Sequence, residues 1–325
     1  MNRFLTVFMA VLFTLVLTPG VVHAEPATLT WSVQPASAAG PDGRRWIELS
    51  LDPGQTVTEH LAVRNFSDGE AVFALKAADG YLTDKGRFNM LRSDQKSTDG
   101  GTWIDVQDEV RVGAKATAVV PFTVTVPQDA APGDHPAGIA ATVTSASGTV
   151  AVESRVGFRL MMRATGTIKA EVGVTGLSAR YDQPWNPFSS GTVTVRYTAT
   201  NTGNVAAGGA GAVAVSDLTG LAGRDGRADV AEIFPGDSRT VETRIGGVWA
   251  LGPMSANVTV TPSVEGGVPM SADVTVWTVP WPQLALIALV VALFFASRAV
   301  TRRRRRRLYD LLARAREEGR AEARG

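Results

Sequence analysis

From about residue 29 to residue 279, apolar and polar residues alternate in short runs that stop at Gly, Pro, Asn or Asp. Period-two alternation with such breaks is the pattern of half-buried β-strands, and no stretch of this region holds a helical period. In TVTEHLAVRN, residues 56–65, Val57, Leu61 and Val63 share one face, while Thr58, His60, Ala62 and Arg64 share the other. The first face goes to a core, so His60 points to solvent. The strands fall into two sets, residues 25–163 and 164–279. VTEHLAVRNFSDGEA in the first echoes VTVRYTATNTGNVAA in the second. Each is an alternating strand ending in Asn and a small polar corner, which Asn65 and Asn201 cap with a local side-chain bond or by adopting a left-handed conformation.

Within the second set, strands are predicted near 170–178, 191–201, 211–216, 227–234, 238–245, 254–262 and 270–277. Short strands at regular spacing point to an immunoglobulin-like sandwich. PMSANVTV from Pro253 and PMSADVTV from Pro269 read as the two arms of a late hairpin. The first set adds an excursion from Asp79 to Gly101, read as a short hairpin plus a polar loop. The fold class is therefore all-β: two tandem immunoglobulin-like β-sandwich domains plus one C-terminal transmembrane helix.

Two continuous apolar segments bracket these strands. Residues 1–24 read as a signal peptide: Arg3, an apolar run from Phe4 to Leu17, and Val22-His23-Ala24 before cleavage; an uncleaved anchor is the alternative. Residues 280–300 hold about twenty mainly apolar positions, enough to cross about 30 Å of hydrocarbon. Trp277 and Trp281 lie at its outer edge, where indoles favour the headgroup zone. Arg302, Arg303, Arg304, Arg305, Arg306 and Arg307 follow directly. By the positive-inside rule they stay in the cytoplasm, so the chain is a single-pass type I membrane protein with its N-terminal domains extracellular. Residues 301–325 form a basic cytoplasmic tail. Leu308, Leu311, Leu312 and Ala315 share one face of a short juxtamembrane helix.

Charge and composition then narrow the chemistry. The net charge is +1, but the segment from Ser297 to Gly325 has eleven Arg against four acids, and residues 25–296 carry a net −7. The arginine block after a membrane span reads as stop-transfer, and no nucleic-acid partner is expected. The chain has no Cys and three His, of which His23 lies in the leader. No disulfide framework, thiolate metal site or Ser-His-Asp set follows, and GGAGAVAV lacks the lysine of a phosphate loop. No enzyme activity, cofactor or metal is expected. His135 reads as a corner residue of a sandwich.

Two groups of residues stand as candidate binding sites. In VESRVGFRLMMR, period two places Arg155, Arg159 and Arg163 on one face of one strand. They bind an acidic polymer or a partner's carboxylates, or they form a solvated outer face. Tyr81, Phe88 and Trp103 flank the polar excursion. They stack on sugar rings, or they pack as a satellite core under the loop.

The first set also resembles a known family. Trp31-Ser32-Val33-Gln34-Pro35, Pro53-Gly54-Gln55-Thr56, Val63-Arg64-Asn65 with Ser67-Asp68, Gly138-Ile139 and the long segment VAVESRVGFRLMMRATG carry the likeness. Together they resemble the N-terminal domain of WxL-interacting proteins of Gram-positive bacteria, over about Leu29 to Gly166. The overall plan of leader, two β domains, span and basic tail is similar too. That family domain is described as peptidoglycan-binding. The resemblance implies a non-catalytic cell-surface binding protein that engages peptidoglycan or another cell-wall polymer. A surface protein partner, held by the second domain or a free sheet edge, is also expected. The alternative is a chaperone-like or accessory subunit of a membrane transport or surface-assembly complex.

Overall fold

A computed structural model describes residues 29–147, 150–217, 223–249 and 252–322. The expected signal peptide lies outside these residues. The chain is all-β with one C-terminal helix, as the alternation implies. The first domain runs through β1 (Trp31–Ser37), β2 (Gly40–Pro41), β3 (Ile47–Leu51), β4 (Thr56–Asn65), β5 (Ala71–Leu82), β6 (Phe88–Met90), β7 (Ile104–Val106), β8 (Glu109–Val112), β9 (Thr117–Thr125), β10 (Gly133–Ser147) and β11 (Val150–Ala164). One sheet has the order β2-β1-β4-β9-β7. The facing sheet has the order β3-β11-β10-β5-β6, with β8 also on β5. Leu61, Phe73, Phe122, Ile139, Leu160 and Met162 fill the space between them. Each such side chain contributes about 1.5–3 kcal/mol by leaving water. Trp31 closes the core: its ring lies 5.6 Å from that of Phe73, and its indole N–H donates to Ala141 O across the sandwich at 3.2 Å.

The opening turn of β4 follows from its residues. Pro53 presets the first corner, Gly54 takes φ +83°, and Gln55 N donates to Asp52 O at 2.9 Å, the pattern of a type II turn. His60, expected to face solvent, is half-buried, and it lies between Ala36 and Pro121 in the ladder. The excursion is a hairpin of β5 and β6, then a polar loop and a 3-10 turn at Gly100–Trp103. Asp79 organises that loop: its carboxylate accepts from the N–H groups of Thr98 and Gly101, each at 2.7 Å.

The second domain comprises β12 (Val172–Asp182), β13 (Gly191–Asn201), β14 (Ala207–Asp217), β15 (Arg224–Arg227), β16 (Val230–Ile233), β17 (Ser238–Val248), β18 (Gly252–Pro262) and β19 (Met270–Thr278). Its sheets are β12-β13-β17 and β15-β14-β18-β19, with β16 on β14. The segment read as a strand near 227–234 holds β16, and the short β15 that precedes it was not predicted. The repeated arms pair as expected. Asn257 faces Asp273, the same position of the two repeats, so the hairpin is nearly symmetric about that pair.

The sequence echo is a structural echo. Asn65 and Asn201 are fully buried. The Asn65 amide donates to Gly69 O, and the Asn201 amide donates to Val205 O, each at 2.8 Å. Their side-chain oxygens accept from Ser67 N and Gly203 N. Each amide also reaches the other sheet, through Val112 O in the first domain and Ile233 O in the second. The same residue thus performs the same closure in both domains.

After β19, helix α1 (Trp281–Glu322) runs for 42 residues. Its N-terminal part is long and apolar enough to cross a membrane, by length and composition. The sequence divides this region into a span at 280–300 and a separate short helix in the tail. Instead, the helix is continuous, because no Gly or Pro stands between Pro282 and Gly319 and the arginine run is made of good helix formers.

Candidate functional site

The three arginine candidates lie on β11. Phe158, Leu160, Met162 and Ala164 point into the first core, so Arg155, Arg159 and Arg163 share the opposite face. That face is covered by the excursion loop and by the second domain. Arg155 donates to Leu91 O at 2.8 Å. Arg159 makes two bonds across the domain boundary to Glu232, at 2.7 and 2.8 Å. Its guanidinium also lies 5.1 Å from the Phe234 ring and 5.9 Å from that of Phe88. Arg163 makes a bidentate pair with Asp134 at 2.6 and 2.9 Å. In place of a free row of cations, the three guanidiniums are held by partners within the chain.

Asp134 is the centre of the joint. It is buried, and besides Arg163 it accepts from Ala206 N of the second domain at 2.7 Å. Its own N–H donates to Asn204 O at 2.8 Å. Asn204 sits in the second Asn corner, and its amide donates back to Pro132 O at 2.8 Å and to Thr167 O at 2.9 Å. Gly133, at φ +133°, stands where any Cβ would run into Asn204 O. A buried carboxylate is costly unless paired, and here the Arg163 guanidinium and a backbone N–H satisfy it. The Asp134 hydrogen bond in turn raises the Arg163 pKa above its ordinary value, with burial opposing. A groove of about 340 Å³ runs beside these pairs, lined also by Glu48, Ser50, Met161 and Ala206.

The three aromatic candidates do not form one platform. Trp103 is buried, with its ring centroid 4.3 Å from that of His135. Phe88 lies over Gly80, where a Cβ would collide with its ring, and beside Gly138. Tyr81 is exposed, and its hydroxyl accepts from Asn89 Nδ2 at 3.1 Å. His135, read as a corner residue, hydrogen-bonds Asp99 through Nδ1 at 2.5 Å and Ala131 O through Nε2 at 2.9 Å. Both partners are acceptors, so the doubly protonated ring fits best. Burial opposes that charge, but the Asp99 bond, the Ala131 carbonyl and the charges of Asp99 and Asp134 outweigh it, and the His135 pKa rises.

The feature that sequence reasoning did not locate is the outer edge of β11. On one side β11 pairs with β10 from Val150 to Ala164. On the other it pairs with β3, in parallel, only from Leu160 to Ala164. Among the described residues no strand bonds to that outer edge before Leu160. β1 approaches β11, but its ladder goes to β4. Val152 is 49% exposed, and Glu153, Ser154 and Gly157 are exposed as well. This is an open template about eight residues long, with apolar Val152 and Val156 on one face and Arg155 and Arg159 on the other.

No family model and no curated protein matches the chain. Among solved structures it is similar to the chaperone-tip adhesin complex of CFA/I fimbriae, at 10% identity and TM-score 0.38, covering 77% of this chain and 99% of that one. It is similar to the class 5 fimbriae chaperone CfaA at 12% identity and TM-score 0.34, covering 77% and 100%. The Pseudomonas aeruginosa CupB2 chaperone gives 14% identity and TM-score 0.29, covering 71% and 97%. At scores this low the likeness carries no weight for function.

Proposed function

We propose that the chain is a non-catalytic, membrane-anchored binding protein. It acts as a chaperone-like or accessory subunit of a surface-assembly or transport complex, and it holds an extended segment of a protein partner along the outer edge of β11. One observation supports this reading: the unpaired edge from Val152 to Arg159, beside a joint that fixes the second domain next to it. An edge strand offers outward N–H and C=O groups that a partner strand completes, while side chains on alternate positions select it. Each ladder bond contributes only about 0.5–1.5 kcal/mol, so selectivity has to come from side chains near Val152, Val156 and Arg159. In this reading α1 crosses the bilayer once, with residues 302–307 inside and both domains outside.

The test is photocrosslinking in intact cells, with the full chain carrying a photoreactive residue at Val152 or Ser154 and a control at Thr58. A discrete protein adduct from the β11 positions alone is the expected result, and the adduct from the Ser154 probe is lost when Val152→Lys is added; an edge lysine blocks strand addition without touching the core. No adduct from β11, together with saturable pelleting on purified cell-wall sacculi, would replace this reading with the wall binding that the family resemblance implies.

A further inference from the structure

One end of the second domain gathers exposed aromatic side chains from four separate segments. The ladder pairs Asp182 with Thr192, Gly191 with Val248, and Gly252 with Thr278. The 183–190 loop, the start of the β17–β18 connection at Trp249 and the end of β19 therefore share one end of the sandwich. Helix α1 leaves from that same end. Trp185 is 95% exposed, Phe188 77%, Trp277 75% and Trp281 68%, with Trp249 at 39%.

The loop QPWNPFSS contains no charged residue. Two prolines stiffen it, and the Asn186 side chain accepts from Phe188 N at 3.0 Å, which fixes the turn between the two aromatics. It is also tied to the helix. Gln283, in the first turn of α1, donates to Pro187 O at 2.9 Å. The Gln183 amide, oriented to satisfy both neighbours, donates to Val279 O at 2.6 Å and accepts from Trp281 N at 3.2 Å. A stiff loop that carries a nearly bare indole and a bare phenyl ring into water is costly, unless another phase covers them. Indoles gain most in the headgroup zone, where the ring is buried and the N–H stays wet.

We propose that this end of the second domain is a lipid-docking surface. Trp185 and Phe188 enter the headgroup region of the leaflet from which α1 emerges, Trp249, Trp277 and Trp281 complete the contact, and the domain stands on the bilayer in one orientation. The inference rests on α1 spanning the membrane. The bilayer is the occupant because the surface is continuous with the start of that helix and is hydrogen-bonded to its first turn.

The natural chain has no cysteine, so single labels are clean. Full-length protein with Ser189→Cys, Val290→Cys or Lys96→Cys is labelled with an environment-sensitive fluorophore and reconstituted into phosphatidylcholine–phosphatidylglycerol vesicles. Nitroxides sit either on the headgroup or at mid-chain. Docking predicts a blue-shifted label at Ser189→Cys, quenched by headgroup nitroxides more than by mid-chain ones. Adding Trp185→Ala and Phe188→Ala abolishes both effects. The label at Val290→Cys is quenched from mid-chain and that at Lys96→Cys by neither. A water-exposed label at Ser189→Cys beside a quenched one at Val290→Cys overturns docking and leaves the span intact. A blue shift without lipid quenching means protein covers the loop, and also overturns docking. An unquenched label at Val290→Cys removes the span and docking with it.

Discussion

Asn65 and Asn201 each use one amide to close a corner that the backbone leaves open. Their amides donate to carbonyls on two segments and their oxygens accept an N–H, all in buried surroundings. Replacement by Ala strands those groups together, and we expect each variant to lose about 2–3 kcal/mol, read as a lower urea midpoint with unchanged slope. At the joint, Arg163→Met leaves the Asp134 carboxylate buried with only Ala206 N, and we expect a loss of about 3 kcal/mol. Arg155→Met gives up one bond to a backbone carbonyl and should cost less than about 1.5 kcal/mol. His135 adds a pH term. Its pKa is raised in the folded chain, so its contribution is fully present below the unfolded value and is lost as pH rises through the folded one. The difference in melting temperature between the natural chain and His135→Gln is expected to be largest at mildly acidic pH and to shrink above the ordinary histidine range of about 6.5. A constant difference across that window would remove His135 from the charge balance.

Elements differed in how far they could be read from the sequence. Alternation alone locates β13, β18 and β19, because each buries one face and the other stays polar; it also locates β4, although Ala62 on the opposite face is buried too. The repeated PMSA arms fix the last hairpin, and the paired Asn corners show that the two domains close in the same way. Pairing order is another matter. That β3 lies parallel to β11 and covers only its last five residues depends on segments more than a hundred residues apart, and no local pattern encodes it. The open edge was therefore invisible, although the arginines beside it were not. The period-two row of Arg155, Arg159 and Arg163 was legible as a face. Its carboxylate partners Asp134 and Glu232 were not, since they come from different strands and different domains. Helix α1 supplies the element's own prediction. Spin labels at Val300→Cys and Leu312→Cys are expected at a backbone separation of about 18 Å in a narrow distribution. Arg307→Pro is expected to broaden and shorten it, whereas a joint already present after the apolar half would give a broad distribution from the outset.

For the molecule as a whole, the joint makes two sandwiches act as one body. Gly133 permits the contact, Asn204 bridges three segments, and the Arg159–Glu232 pair locks the faces. Gly133→Ala is expected to push the domains apart without unfolding either, seen as a larger radius of gyration in detergent with an unchanged far-ultraviolet spectrum. An unchanged radius would place the rigidity elsewhere. Such a body on a helix of 42 residues has a mechanical consequence. The rod is about 63 Å long, roughly twice the hydrocarbon thickness, so with α1 spanning the bilayer as proposed, half of it would continue past the membrane as a shaft studded with arginines. Between Pro282 and Gly319 no Gly or Pro interrupts that shaft. In the proposed topology, a partner that tips or turns the outer domains would also swing the inner end, and the two sides of the membrane would share one lever.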